Sequence, residues 1–207
     1  MSEMSIEHVQ VDPRDDAAAA RHEAQHADNL KFAMWLYLAS EVVIFTTLIA
    51  IFVIFRVNFP DRVEEVHQAS GLGLVGLNTF LLLTSSWTMV MGLRAIQKND
   101  SKWLARWIGA TAVLGTLFVM MQYVEYSHLA SEGITLYSDA FGMRFYAPTA
   151  FHGAHVIAGV IWAIWVVNGA LKGKYKDGKY LGVEIFGLFW HFVDVVWIVL
   201  FTVIYLL

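Results

Sequence analysis

The sequence contains no cysteine, which excludes a disulfide framework, a thiolate metal site, an iron–sulfur cluster and a cysteine nucleophile. Charge is scarce as well. Only 15% of the 207 residues are Asp, Glu, Lys or Arg, against roughly a quarter in an ordinary soluble domain. The formal net charge of −4 comes largely from acidic residues outside the apolar runs, so the chain offers no basic surface to nucleic acid, which is excluded as a partner. Residues 1–31 lack a basic stretch followed by an apolar core and a small-residue cleavage site, and no signal peptide is read there. They also hold too few large apolar side chains to bury, so they are expected to form a polar, disordered tail or to lie loosely on a membrane surface. His8, His22 and His26 are irregularly spaced within it and are read as solvated rather than metal-binding.

What the chain has in abundance is apolar residues, 57% of the total, with a mean hydropathy of +0.54. They gather in five runs, at about 32–56, 71–97, 103–128, 146–171 and 183–207, each longer than the roughly 20 residues needed to cross about 30 Å of hydrocarbon. Within lipid, backbone polar groups must be satisfied inside the segment or in a closed barrel, and runs of this length without period-two alternation are helices. The expected fold is an all-α, polytopic membrane bundle of five transmembrane helices spanning residues 32–207. Lys and Arg concentrate around the second connection (Arg94, Lys98, Lys102, Arg106) and in the fourth (Lys172, Lys174, Lys176, Lys179). The first and third carry only Arg56, Arg62 and Arg144 among Asp61, Glu64, Glu65, Glu132 and Asp139. The excess of positive charge on cytoplasmic loops then places the N-terminus inside and the C-terminus outside. Trp35, Trp103, Trp107 and Tyr205 near span ends are read as interfacial anchors. Ala150, Ala154 and Ala158 share one helical face and are read as a site of close helix packing.

Seven polar residues stand where lipid should not tolerate them: Glu41, Gln122, Glu125, His152, His155, His191 and Asp194. A carboxylate at a helix centre costs about 3 kcal/mol on insertion scales, whereas a Leu returns only about 0.5, so such groups face a bundle interior or a partner. Two readings of Glu41 stay open. It is a neutral acid hydrogen-bonded to a neighbouring helix, or it serves in proton relay or headgroup contact. Gln122, Glu125 and His128 recur every three residues, and Glu125 with His128 forms an E-x-x-H pair. A carboxylate-bridged di-iron bundle needs two such pairs and two further glutamates, and the sequence holds one pair. His152 with His155, and His191 with Asp194, suit interhelical hydrogen bonding better than haem or metal ligation, because their depths along the spans do not match. The expectation is that no catalytic, cofactor or metal site belongs to this chain.

Taken in order, several segments resemble subunit III of the haem–copper oxidases. They are Ser40-Glu41 with Phe45, Asn78-Thr79 through Leu83-Thr84-Ser85-Ser86, and Gln122 with Glu125-Tyr126. The most specific are Phe151-His152-Gly153-Ala154-His155-Val156-Ile157 and Trp190-His191-Phe192-Val193-Asp194-Val195-Val196-Trp197. The resemblance runs from about residue 32 to the end and fits the five-helix bacterial form, which lacks the first two helices of longer members.

The resemblance implies a non-redox subunit in a multi-pass position in the bacterial inner (plasma) membrane, packed directly against oxidase subunit I and associated with the other oxidase subunits. Haem and copper would lie in those partners, structural phospholipid would occupy a cleft faced by Glu41, and cytochrome c or quinol would be the complex's electron donor. The complex would reduce oxygen to water with proton pumping, and this chain would support proton uptake and protect the catalytic subunit from turnover inactivation. The nearest rival is the related subunit associated with nitric oxide reductase. A free-standing transporter is disfavoured because paired inverted repeats with Gly or Pro interruptions are not evident.

Overall fold

A computed structural model describes residues 13–60, 72–137, 140–175 and 179–207. His8, Asp61, Arg62, Glu64, Glu65, Asp139 and Lys176, invoked above for the tail and for loop charge, lie outside the described residues. Five long helices follow in order: α1 (Pro13–Asn58), α2 (Leu72–Gln97), α3 (Ser101–Ser131), α4 (Ala140–Leu171) and α5 (Leu181–Phe201), the last continued by a π-helical turn, Thr202–Leu206. All five are long and apolar enough to cross a membrane, and no strand occurs among the described residues. Each apolar run has thus become one helix. The boundaries differ most at the first, where the helix begins at Pro13, so residues 13–31 are a helical extension of the span rather than a loose tail.

The helix ends follow local chemistry. At the α2–α3 turn, Asn99 takes a left-handed conformation (φ 59°), which Asn tolerates better than most residues, and the Asp100 amide returns to the Ala95 carbonyl at 3.0 Å. Asp100 then caps α3, its Oδ1 accepting from the Lys102 and Trp103 amides at 3.1 and 3.0 Å. Gly133 and Gly173 close α3 and α4 at φ 83° and 71°. Beyond them the Ile134 and Lys174 amides bond back to Leu129 and Gly169, the geometry that favours glycine just past a helix end.

Helices α2, α3, α4 and α5 form a ring in which each packs on its chain neighbour and α2 closes against α5, while α1 lies outside the ring against α4 and α5. One stripe of α1 is buried, formed by Leu38, Glu41, Phe45, Phe52 and Phe55, at the three- and seven-residue spacings of a single helical face. The ring is pinned by hydroxyls. Trp190 and Trp197, two turns apart on α5, donate their indole N–H groups to Ser85 Oγ and Thr79 Oγ1 on α2, both at 3.0 Å. Thr88 on α2 meets Thr111 on α3 at 2.8 Å.

The small residues that permit close approach are not those expected. Ala150, Ala154 and Ala158 face outward. Gly115 and Gly159 do the packing against the Trp190 ring: a Cβ at either would stand 2.6 Å from a ring carbon. The indole fills space that only a missing side chain leaves open.

Candidate functional site

Glu41 and His155 meet between α1 and α4. Glu41 Oε2 stands 3.3 Å from His155 Nε2, a contact too poorly directed to count as a hydrogen bond, which leaves that buried oxygen without one. The other ring nitrogen fixes the tautomer. His155 Nδ1 lies 2.8 Å from the Phe151 carbonyl, and a carbonyl only accepts, so Nδ1 carries a hydrogen. Nε2 in the neutral ring is then a lone pair on the side of the carboxyl oxygen. Tyr37 lies one turn before Glu41, on the carboxyl's side of the helix. Phe45, Phe151 and Phe189 flank the imidazole with centroid distances of 5.4, 4.7 and 6.2 Å.

Beside this pair runs an apolar groove of about 330 Å³ lined by Tyr37, Ala154, His155, Ala158, Trp162 and Phe189. Trp162 also borders a larger recess of about 1120 Å³ at the other end of α4, where Lys172, Lys174 and Lys179 face Glu23 and His26 of α1. The base of α1 is tied there by Lys31 Nζ to Glu184 Oε2 at 2.7 Å. Ala154 and Ala158 of the outward alanine stripe of α4 form part of the wall of this groove.

The remaining polar residues fall into separate clusters. Gln122 Nε2 donates to the Thr149 carbonyl and the Tyr126 hydroxyl, both at 3.0 Å, and Tyr126 donates to Thr149 Oγ1 at 2.8 Å. A Cβ on Gly153 would stand 2.7 Å from Gln122 Oε1, so that glycine makes room for the amide. Glu125 accepts from the Tyr205 hydroxyl at 2.8 Å. His191 Nδ1 lies 3.1 Å from Ser86 Oγ, with Asp194 close beside them. His152 is fully buried, stacked on Trp197 at 4.9 Å and edge-on to Phe118 at 5.6 Å, and neither ring nitrogen has a hydrogen-bond partner.

Three expectations change. Tyr205, read as an interfacial anchor, is 5% exposed and serves as the donor to Glu125. His128 is exposed while Glu125 is buried, so the E-x-x-H pair does not converge; the three-residue steps carry the third member off the face. His152 makes no interhelical hydrogen bond although His155 and His191 do contact other helices. Among the described residues no three His, Asp or Glu side chains gather as a metal ion would require. Thr149 completes these contacts without having been singled out, and the bonding roles of Tyr126 and Tyr205 were not read, because nothing in an apolar run marks which hydroxyl will face a neighbour's polar group.

The sequence profile of the family described as cytochrome c oxidase subunit III matches residues 10–207. A cytochrome c oxidase subunit 3 of Synechocystis sp. is 39% identical over 88% of this chain and 77% of its own length. Proteins of the same description from Thermostichus vulcanus and a Bacillus species are each 33% identical, covering 95% and 92% of this chain and 96% and 92% of their own lengths.

Proposed function

The chain belongs to the cytochrome c oxidase subunit III family, and from that premise we propose that it is the non-redox accessory subunit of a bacterial respiratory oxidase that reduces oxygen to water with proton translocation. It sits in the plasma membrane with its N-terminus cytoplasmic and its C-terminus outside, in direct contact with the haem- and copper-bearing catalytic subunit. Cytochrome c or quinol delivers electrons to the complex, not to this chain. Its own work is to stabilise the catalytic subunit and to support proton uptake. The observation that carries the reading is the family match across residues 10–207.

The site chemistry supports the finer parts. A groove with apolar walls (Ala154, Ala158, Trp162, Phe189) leading to a recess with three lysines suits a phospholipid, acyl chains along α4 and anionic headgroup at the lysines. Glu41 and His155, a carboxyl and an imidazole 3.3 Å apart beside that groove, suit a group that accepts and releases a proton. The test is a reduced-minus-oxidised optical spectrum of whatever co-purifies with the tagged chain from native membranes in mild detergent. A haem signal borne by a larger co-purifying subunit is expected. A chain that emerges alone and colourless overturns the reading in favour of transport, and one that is alone and coloured makes its histidines ligands.

A further inference from the structure

The first helix is longer than a bilayer needs. α1 runs for 46 residues, about 69 Å at 1.5 Å per residue, against about 30 Å of hydrocarbon. Its buried stripe begins at Leu38. Residues 21–31 ahead of that stripe are helical, polar and largely exposed, and they are fastened to the bundle where Lys31 meets Glu184.

This winding changes what the histidines of the segment can do. Along a loose tail His8, His22 and His26 share no spacing, but on a helix His22 and His26 stand four residues apart on one face, with Cβ atoms about 5–6 Å from each other. Both are exposed. Two imidazoles so placed converge on one ion at metal–nitrogen distances of about 2.0–2.1 Å, as a helical His-x-x-x-His pair does in zinc peptidases. The run His22-Glu23-Ala24-Gln25-His26 even has the spelling of those enzymes. Glu23, however, faces the recess that holds Lys172, Lys174 and Lys179, and among the described residues no third His, Asp or Glu joins the pair, so no hydrolytic step is assigned to it. What remains is a two-point chelate with water at the other coordination positions. Neutral imidazole suits Cu²⁺, Ni²⁺ and Zn²⁺, with Cu²⁺ heading the series, whereas Mg²⁺ and Ca²⁺ call for oxygen ligands. The recess lysines oppose a cation, but His22 does not line the recess, which puts the chelate at its rim, and Glu23 and Asp28 flank the pair against the single Arg21.

We propose that His22 and His26 form a surface site for a divalent transition-metal ion, Cu²⁺ above Zn²⁺, on the polar extension of α1. The site goes beyond the accessory-subunit reading and stands independently of it. Its test takes the full chain in detergent micelles, purified through a histidine-free tag, with Cu²⁺ alone as the probe. Electron paramagnetic resonance at one equivalent of Cu²⁺ is expected to show hyperfine splitting from two imidazole nitrogens. His22→Ala and His26→Ala should each remove one nitrogen and weaken binding by about ten-fold or more in competition against glycine, ten-fold being the lower end of what the loss of even an outer-shell partner costs a metal site. His128→Ala, at another exposed histidine, is expected to change nothing. His26→Ala combined with Ala24→His keeps two histidines but sets them about 200° apart around the helix, and is expected to bind no better than His26→Ala alone. Equal affinity in the parent chain and both single variants overturns the site, as does binding that is lost with His8→Ala instead. Full affinity in the relocated pair overturns it too, since only an unwound segment gathers histidines at either spacing.

Discussion

At the scale of single residues, the interior of this bundle is a set of short polar exchanges rather than one continuous network. Glu125 shows how little margin each has. Its carboxyl is buried and accepts from Tyr205. Tyr205→Phe removes that donor while keeping the ring, and the expected loss is about 1–2 kcal/mol, the cost of stranding one buried acceptor. Denaturant unfolding in detergent micelles measures it. Glu125→Leu combined with Tyr205→Phe should be milder than Tyr205→Phe alone, since removing both partners strands nothing; an equal or larger loss in the double variant would show that Tyr205 acts through packing. That Glu125 needs a partner was legible from its position in an apolar run. Which residue supplies it was not, because Tyr205 lies 80 positions away and its direction depends on how the last turn of α5 is wound.

At the scale of elements, the apolar runs specified the helices well because length and backbone satisfaction in lipid leave no other solution. How the helices face one another was less legible. Ala150, Ala154 and Ala158 have the spacing of a packing face yet all point outward, Ala154 and Ala158 into an open groove, and the closest approach is made at Gly115 and Gly159 by a tryptophan from α5. Spacing reveals that small residues share a face, but not whether a helix or an acyl chain meets it. Gly159→Ala is expected to destabilise the bundle by about 1–3 kcal/mol through overpacking, read as a lower midpoint of thermal loss of helicity. Gly76→Ala, whose new Cβ would meet nothing within 4 Å, should be neutral or slightly stabilising. Combining Gly159→Ala with Trp190→Phe should recover part of the loss, because the smaller ring vacates the contact.

At the scale of the whole molecule, the sequence's lack of cysteine makes its orientation directly measurable. Single cysteines at Lys98, in the α2–α3 turn, and at Tyr137, beyond α3, are separated by one full span. In sealed right-side-out vesicles a membrane-impermeant maleimide is expected to label Tyr137→Cys and to spare Lys98→Cys until the vesicles are opened. The reverse pattern would invert the proposed topology. It would also move the lysine recess of Lys172, Lys174 and Lys179 to the outer face, away from the anionic cytoplasmic leaflet.

The turn that ends α5 has a consequence of its own. Thr202–Leu206 is wound as a π-helix, and the Leu207 amide reaches back five residues to the Thr202 carbonyl at 3.0 Å. Such a turn holds a surplus residue relative to an α-helix. Arg56 of α1 extends to the Val203 carbonyl at 3.0 Å, clasping the widened coil from outside. Each residue of an α-helix advances the chain by about 100°, so the surplus acts as a phase shifter that sets the compass bearing of Tyr205. In this segment the count of residues carries information that their identities do not: shortening it by one would swing the phenol through roughly a quarter of a circle or more, with every side chain still present.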